Sequence, residues 1–271
     1  MLCRGYFPMR RYLLLLLLIF TLFSVASYAA PKSDLWPYWQ PSDEQSTIKV
    51  SHQAWQTLLD RYLIRQGENT LFRYAQVSTQ DHQTLKQYLT TLAKQNPLIL
   101  KRAEQYAYWV NLYNAITVDL ILDNYPLTSI TKLGGLFSFG PWNEEVITIN
   151  SKPLTLNDIE HRILRPIWND PRTHYAVNCA SLGCPNLQPQ AFTADNTPAL
   201  LDAAAKEFIN SAKGVSRQGN KAQLSSIYDW FADDFGGKAG LFSHIGRYAP
   251  QYQDFSGQIE YDYDWNLNQA Q

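Results

Sequence analysis

His174 to Pro185 reads His-Tyr-Ala-Val-Asn-Cys-Ala-Ser-Leu-Gly-Cys-Pro, which places a histidine, an amide and two cysteines in one short run. A second histidine lies upstream in Leu156-Asn157-Asp158-Ile159-Glu160-His161-Arg162-Ile163-Leu164-Arg165. A cysteine attacks as its thiolate, from an ordinary pKa of about 8.5, so it needs a neighbouring base or positive charge to work near neutral pH. Histidine supplies the base, and a carboxylate or amide orients it. The candidate catalytic set is therefore Cys179 as nucleophile, His161 (favoured) or His174 as base, and Glu160 or Asn178 as orienter. The small residues Ala180-Ser181-Leu182-Gly183 after Cys179 could leave backbone N–H groups free for an oxyanion.

Two other chemistries compete for the same residues. In an oxidising compartment Cys179 and Cys184 are expected to form a disulfide closing a small loop, a stabilisation of about 2 kcal/mol on the chain-entropy estimate. A zinc site would collect His161, His174, Cys179 and Cys184, but the spacing lacks the usual close cysteine pair, so no metal and no cofactor are assigned. Asp229 and Asp233, one helical turn apart, read as a solvated face.

The elements that must position these groups follow from periodicity and punctuation. Residues 30–50, with Pro31, Pro37 and Pro41, read as an extended lead-in. Ser51 is placed to cap a helix carrying Trp55, Leu58, Leu59 and Tyr62, and a second helix is expected from Gln80 to Lys94, before Asn96-Pro97. Glu104 to Asn124 is apolar on nearly every face and closes at Pro126, so it is expected to be a buried central helix. Asn111 and Asn114 share a face of it, and their amides must find partners, either by tying down a neighbouring loop or by lining a polar cleft.

Glu145 to Ile149 reads as a strand turning at Asn150-Ser151-Lys152-Pro153 into a helix capped by Thr155. At about 100° per residue that helix puts Leu156, Ile159, Ile163 and Ile167 with Glu160 on the buried side, His161 at the border, and Arg162 and Arg165 toward solvent. A carboxylate on a buried stripe is costly without a partner. His174 to Asn178 reads as a short strand entering the cysteine loop. A helix starting at Thr197-Pro198 is expected to end at Gly214, and another capped by Ser225 or Ser226 carries Ile227, Trp230, Phe231 and Phe235 up to Gly236-Gly237. Ile259 to Trp265 alternates and reads as a final strand.

At the front, Arg4, Arg10 and Arg11 precede the apolar run Leu13 to Phe23 and the small residues Ser27-Tyr28-Ala29-Ala30. That order predicts a secretory signal over residues 1–29, cleaved after Ala29 or Ala30, with membrane attachment only if it stays uncleaved. Cys3 precedes the apolar run, so the mature chain would keep only Cys179 and Cys184. The remaining roughly 240 residues suit one large domain, 51–271 after the lead-in. With 23 Lys+Arg against 24 Asp+Glu there is no basic surplus for nucleic acid or an anionic membrane. The 17 Tyr and 8 Trp are abundant enough to line a sugar- or peptide-binding cleft as well as a core.

The runs Tyr108-Trp109-Val110-Asn111-Leu112-Tyr113-Asn114-Ala115, Leu156 to Arg165, His174 to Pro185, Trp230 with Asp234-Phe235, and the tail Asp264-Trp265-Asn266-Leu267-Asn268 together resemble the family called domain of unknown function 547, exported bacterial type. The resemblance implies export for bacterial members, while plant members join the domain to coiled-coil segments that suggest protein interaction. It assigns no catalytic residue. The expectation is a periplasmic, helix-rich α+β domain with a small sheet packed on the buried helix. Its polar centre is expected to gather Asn111, Asn114, Asn178, Ser181, Glu160, His161, His174 and Cys179. Two functions follow. One is a thiol-dependent hydrolase or acyl transferase acting on peptide or cell-envelope substrates. The other is a non-catalytic periplasmic binding or assembly factor, stabilised by Cys179–Cys184, with an envelope protein as partner.

Overall fold

In the computed structural model the described residues are 30–135 and 139–270. The signal expected over 1–29 lies outside them. Pro31–Gln271 forms one compact unit, and its architecture is α+β as expected. Strand pairing is divided among three small sheets.

The lead-in is followed by α1 (Gln53–Tyr62), which buries Trp55, Leu58, Leu59 and Tyr62 as the spacing requires. It begins at His52 with no side-chain cap. Two short antiparallel strands, β1 (Leu63–Gln66) and β2 (Asn69–Phe72), turn at Gly67 with φ +59°. A sharp turn of this hand favours glycine. α2 (Thr79–Lys94) is capped by Ser78, whose hydroxyl accepts from Asp81 N at 3.0 Å. The central helix α3 (Arg102–Asp123) is buried almost throughout, from Glu104 to Val118. It is the axis of the larger core, where Trp39 meets Trp109 edge to face at 5.2 Å.

β3 (Ile147–Ile149) is the expected strand, shorter than Glu145–Ile149, but Lys152 and Pro153 of the expected turn belong to a second strand, β4 (Lys152–Leu154), that pairs back on it, with Asn150 and Ser151 both in the left-handed region. Thr155 and Asp158 then cap the next helix reciprocally: Asp158 N donates to Thr155 Oγ1 and Thr155 N to Asp158 Oδ2, both at 3.0 Å. That helix is not a regular α-helix. Asp158–Leu164 is π-helical and runs into α4 (Arg165–Trp168). The sequence explains why the wide turn survives: Pro166 has no N–H to offer the carbonyls one turn back. Those of His161 and Arg162 instead accept from the lead-in, from Asp34 N and Trp36 N at 3.0 Å each.

The wide turn also corrects the helical wheel. Fewer degrees per residue swing Arg165 inward, so it is buried rather than solvated, and His161 goes from border to interior at 4% exposure. Arg162 stays half-buried, pairing with Asp158 at 2.9 Å.

His174 to Asn178 is likewise not a strand. Thr173–Ala176 is one helical turn, α5, and only Val177 is extended. The tight Asp170-Pro171-Arg172 bend, where Asp170 Oδ1 accepts from Arg172 N at 2.9 Å, starts that turn. α6 (Thr197–Ile209) ends before Gly214, which sits against the Phe208 carbonyl and leads into β5 (Val215–Gln218) and β6 (Lys221–Ser225). α7 (Ile227–Trp230) gives way to a 3-10 turn, Ala232–Phe235, and Gly236-Gly237 opens a further helix, α8 (Gly237–Gly246), rather than ending the region. The tail strand β7 (Gln258–Asp262) pairs in parallel with β6. A second core of Tyr175, Phe208, Tyr228 and Phe235 fills this half.

The two α3 amides act as loop ties. Asn111 Nδ2 donates to Phe192 O at 2.7 Å while its Oδ1 accepts from Phe192 N at 3.0 Å. Asn114 does the same for the chain entering the cysteine loop: Nδ2 donates to Ala176 O at 2.9 Å and Oδ1 accepts from Asn178 N at 2.8 Å. Asn114→Ala should cost about 2–4 kcal/mol, because it strands two buried backbone groups. Urea unfolding checks this, and a loss inside about 0.5 kcal/mol would mean that water replaces the amide.

Candidate functional site

The cysteine loop is held by its own bonds and by the tail. Cys179 and Cys184 are joined as a disulfide. Ala180 sits in the left-handed region at φ +58°, and Asn178 Oδ1 accepts from Ala180 N at 2.9 Å. Asn178 Nδ2 reaches on to Pro185 O at 2.8 Å, so this residue braces both ends of the loop. Leu182 N donates to Asn266 O and Gly183 N to Asp264 O, each at 2.8 Å. A Cβ on Gly183 would stand 2.7 Å from Asp264 N, so only glycine admits this approach of the tail.

These bonds consume three of the four amides expected to serve an oxyanion, those of Ala180, Leu182 and Gly183. The amides of Cys179, Ala180, Leu182, Gly183 and Cys184 go to Cys184 Sγ, Asn178, Asn266, Asp264 and Ser181. Cys179 Sγ lies near two hydroxyls, Ser181 Oγ at 3.1 Å and Tyr263 at 3.0 Å. Neither histidine is among its hydrogen-bond partners in the described residues.

The histidines belong instead to an ionic cluster beside the loop. His174 Nε2 donates to Asp234 Oδ2 at 2.7 Å, and Arg165 Nε donates to the same oxygen at 2.6 Å. Burial alone would raise the Asp234 carboxyl, but these two hydrogen bonds and the charges behind them hold it well below the usual carboxylate range. Arg165 Nη1 also donates to Pro31 O at 2.8 Å and to His161 Nδ1 at 2.9 Å. A guanidinium only donates, so His161 Nδ1 is the acceptor and its proton sits on Nε2. Burial pushes His161 down to about 4, with Glu160 opposing and Arg165 adding to the shift. The ring is therefore neutral at pH 7, with its Nδ1 lone pair already occupied. Phe231 covers the cluster, stacked on His174 at 4.3 Å and lying under Arg165 at 4.7 Å.

Glu160 is buried as the apolar stripe predicts, at 7% exposure, and faces both rings without closing a hydrogen bond to either. Its Oε1 is 3.9 Å from His161 Nδ1 and 3.8 Å from His174 Nδ1. The Tyr113 phenol adjoins it: burial drives that group far up, and the carboxylate drives it further. Tyr263 is raised by burial too, against the Ser181 hydrogen bond and with the help of Glu160. Tyr263 also lies 3.0 Å from the sulfur of Cys179.

The structure brings Glu160, His161 and His174 together in one group, and Cys179, Ser181 and Tyr263 in another. Asn178 braces the loop, Asn114 ties the chain that enters it, Asn111 ties Phe192, and neither of these two α3 amides bonds Glu160. Four residues were missed by sequence reasoning. Arg165 was hidden by the π-turn, Asp234 by its place next to the solvated Asp233, and Tyr113 and Tyr263 by looking like ordinary packing. The one usable signal was the conflict at Glu160, a carboxylate that needed partners.

With both sulfurs bonded to each other, no thiolate is available to a metal among His161, His174 and the cysteines. Among the described residues one group, His82, Asp119 and Asp123, has ligand atoms close enough to share an ion. There the Lys86 ammonium already serves both carboxylates, at 2.7 Å from Asp123 and 3.2 Å from Asp119.

Residues 97–209 match the family described as Protein of unknown function, DUF547. The match contains the Tyr108–Ala115, Leu156–Arg165 and His174–Pro185 runs, and Trp230, Asp234 and the tail lie beyond it. No curated protein and no solved structure matches the chain.

Proposed function

We propose, for a chain whose residues 97–209 carry the domain of unknown function 547, that it is an exported, periplasmic binding or assembly factor of the cell envelope. The observation that carries this reading is the Cys179–Cys184 disulfide. It ties up the nucleophile and, with the tail, fixes the loop as a rigid wall. A rigid wall suits recognition, because a preorganised surface loses little freedom on binding. Export is supported by the order of charged, apolar and small residues in 1–30 and by the persistence of disulfides in oxidising compartments.

A thiol-dependent hydrolase or acyl transferase acting on peptide or envelope substrates remains as the second reading, in a reduced form of the same loop. It is favoured by the Ser181 and Tyr263 hydroxyls at 3.1 and 3.0 Å from Cys179 Sγ, donors that would stabilise a thiolate once the bond opens.

Alkylation of protein recovered from the periplasmic fraction, followed by peptide mass spectrometry, separates the two and reads the mature N-terminus. The binding reading expects a chain starting at Ala30 or Pro31 and no label on either cysteine until reductant is added, then label on both. A native protein in which Cys179 alone takes label refutes it in favour of the thiol enzyme.

A further inference from the structure

We propose that the Cys179–Cys184 pair is a thiol–disulfide exchange site for the cysteine thiols of peptides, in which Cys179 is the sulfur attacked and Cys184 the sulfur that leaves. This activity goes beyond the binding reading, and the two stand or fall separately.

The two cysteines differ in their surroundings. Cys184 is 4% exposed whereas Cys179 is half-buried, so an incoming thiolate meets Cys179 first. The rate of exchange depends on access to the attacked sulfur and on how well the other sulfur carries charge as it leaves. Cys179 N donates to Cys184 Sγ at 2.9 Å, which sets a backbone N–H on the sulfur that must leave as a thiolate. Cys179 has its own donor in the reduced state. Ser181 Oγ donates to the Tyr263 oxygen at 3.1 Å, and the phenol proton is then free for Cys179 Sγ at 3.0 Å.

The loop does not depend on the bond for its shape. The cysteines are five positions apart, so little chain entropy rests on the closure. Leu182 N and Gly183 N donate to the tail at 2.8 Å each, Asn268 N returns to Ala180 O at 3.0 Å, and Asn178 braces Ala180 and Pro185. An opened pair therefore keeps its sulfurs close together and ready to close again, as reversible exchange requires.

The exchange runs in two displacements. A peptide thiolate attacks Cys179 Sγ, a new S–S bond forms, and the bond to Cys184 breaks with its electron pair going to Cys184, which takes a proton from solvent. A second peptide thiolate attacks the peptide sulfur of the mixed disulfide, and Cys179 leaves as a thiolate. Two peptide thiols are thereby oxidised to one disulfide, and the protein disulfide is reduced to two thiols.

The test exposes folded protein to millimolar reduced glutathione, quenches with acid and locates the adduct by fragment-ion mass spectrometry. Glutathione should be found on Cys179, and the reduced protein should keep a cooperative thermal transition. Cys184→Ser, which removes the leaving sulfur, should take up glutathione from glutathione disulfide at least about tenfold faster than Cys179→Ser does. Adding Tyr263→Phe to Cys184→Ser should move the pH midpoint of Cys179 alkylation up by about one unit, the effect of one hydrogen bond to a charged sulfur. If a variant fails to fold, the adduct on the wild-type protein decides. An adduct on Cys184, equal rates in the two single variants, or a bond that glutathione opens only after urea unfolds the chain overturns the proposal and leaves the pair a structural staple.

Discussion

Arg165→Met should lower the unfolding free energy by about 3–5 kcal/mol, the cost of breaking a buried ion pair from one side. The Arg165 side chain is 5% exposed and satisfies three acceptors: Asp234 Oδ2 at 2.6 Å, Pro31 O at 2.8 Å and His161 Nδ1 at 2.9 Å. Methionine fills much of the volume but leaves a carboxylate with His174 as its remaining partner and strands a carbonyl of the lead-in. Removing Asp234 as well should recover part of the loss, because the uncompensated charge goes with it, so the double variant Arg165→Met/Asp234→Asn should be more stable than the two single losses add up to. Urea denaturation of the four proteins measures the coupling. A single-variant loss below about 1 kcal/mol would place the guanidinium in solvent, as a regular α-helix would have it.

Mild acid should be more damaging still. Burial pushes His52, His161 and His244 each from the ordinary histidine value down to about 4. His52 and His244 are held by phenols, His52 Nδ1 to Tyr88 at 2.6 Å and His244 Nε2 to Tyr175 at 2.8 Å, neither of which compensates a positive ring. A depressed folded value means that the unfolded chain binds more protons between pH 4 and about 6.5, so stability is complete above this window and falls as pH drops through it. At 1.36 kcal/mol per unit the loss approaches about 3 kcal/mol per histidine at the acid end, against a total stability typically of about 5–15 kcal/mol. Below pH 4 these rings add nothing further, and the depressed carboxyl of Asp234 takes over. Urea midpoints at pH 7.5, 5.5 and 4.5 follow the curve, and His52→Gln should flatten its share. A midpoint unchanged from pH 7.5 to 4.5 would show that the rings reach water.

The amino-acid order alone determined the parts governed by local physics. α1, α2 and α3 follow from helical spacing of large apolar residues, the β3–β4 turn from Asn150-Ser151, and the start of the Glu160 helix from the Thr155–Asp158 exchange. The burial of Glu160 was legible as well, since a carboxylate on an apolar stripe is unusual enough to be seen without a structure. The loop-closing disulfide was only one of the roles that the sequence left open to Cys179 and Cys184, beside a free catalytic thiol, because nearness in sequence permits a small loop without requiring it.

What tertiary structure decided was every relation that depends on the exact rotation of a helix or on residues far apart in sequence. Arg165 turned inward because Pro166 supplies no N–H and the lead-in supplies two, which stabilises a wide turn that no regular wheel anticipates. Asp234 became the partner of His174 and Arg165 across 60 and 69 positions. Tyr263 became the neighbour of Cys179 across 84. Neither pairing has a periodic signature, because hydrophobic spacing records which face is buried and not what meets it. The separation of the histidines from the sulfur follows from the same limit: their nearness in sequence expressed one folded neighbourhood, and the hydrogen bonds of Asp234, Arg165 and the tail divided that neighbourhood into an ionic cluster and a closed loop.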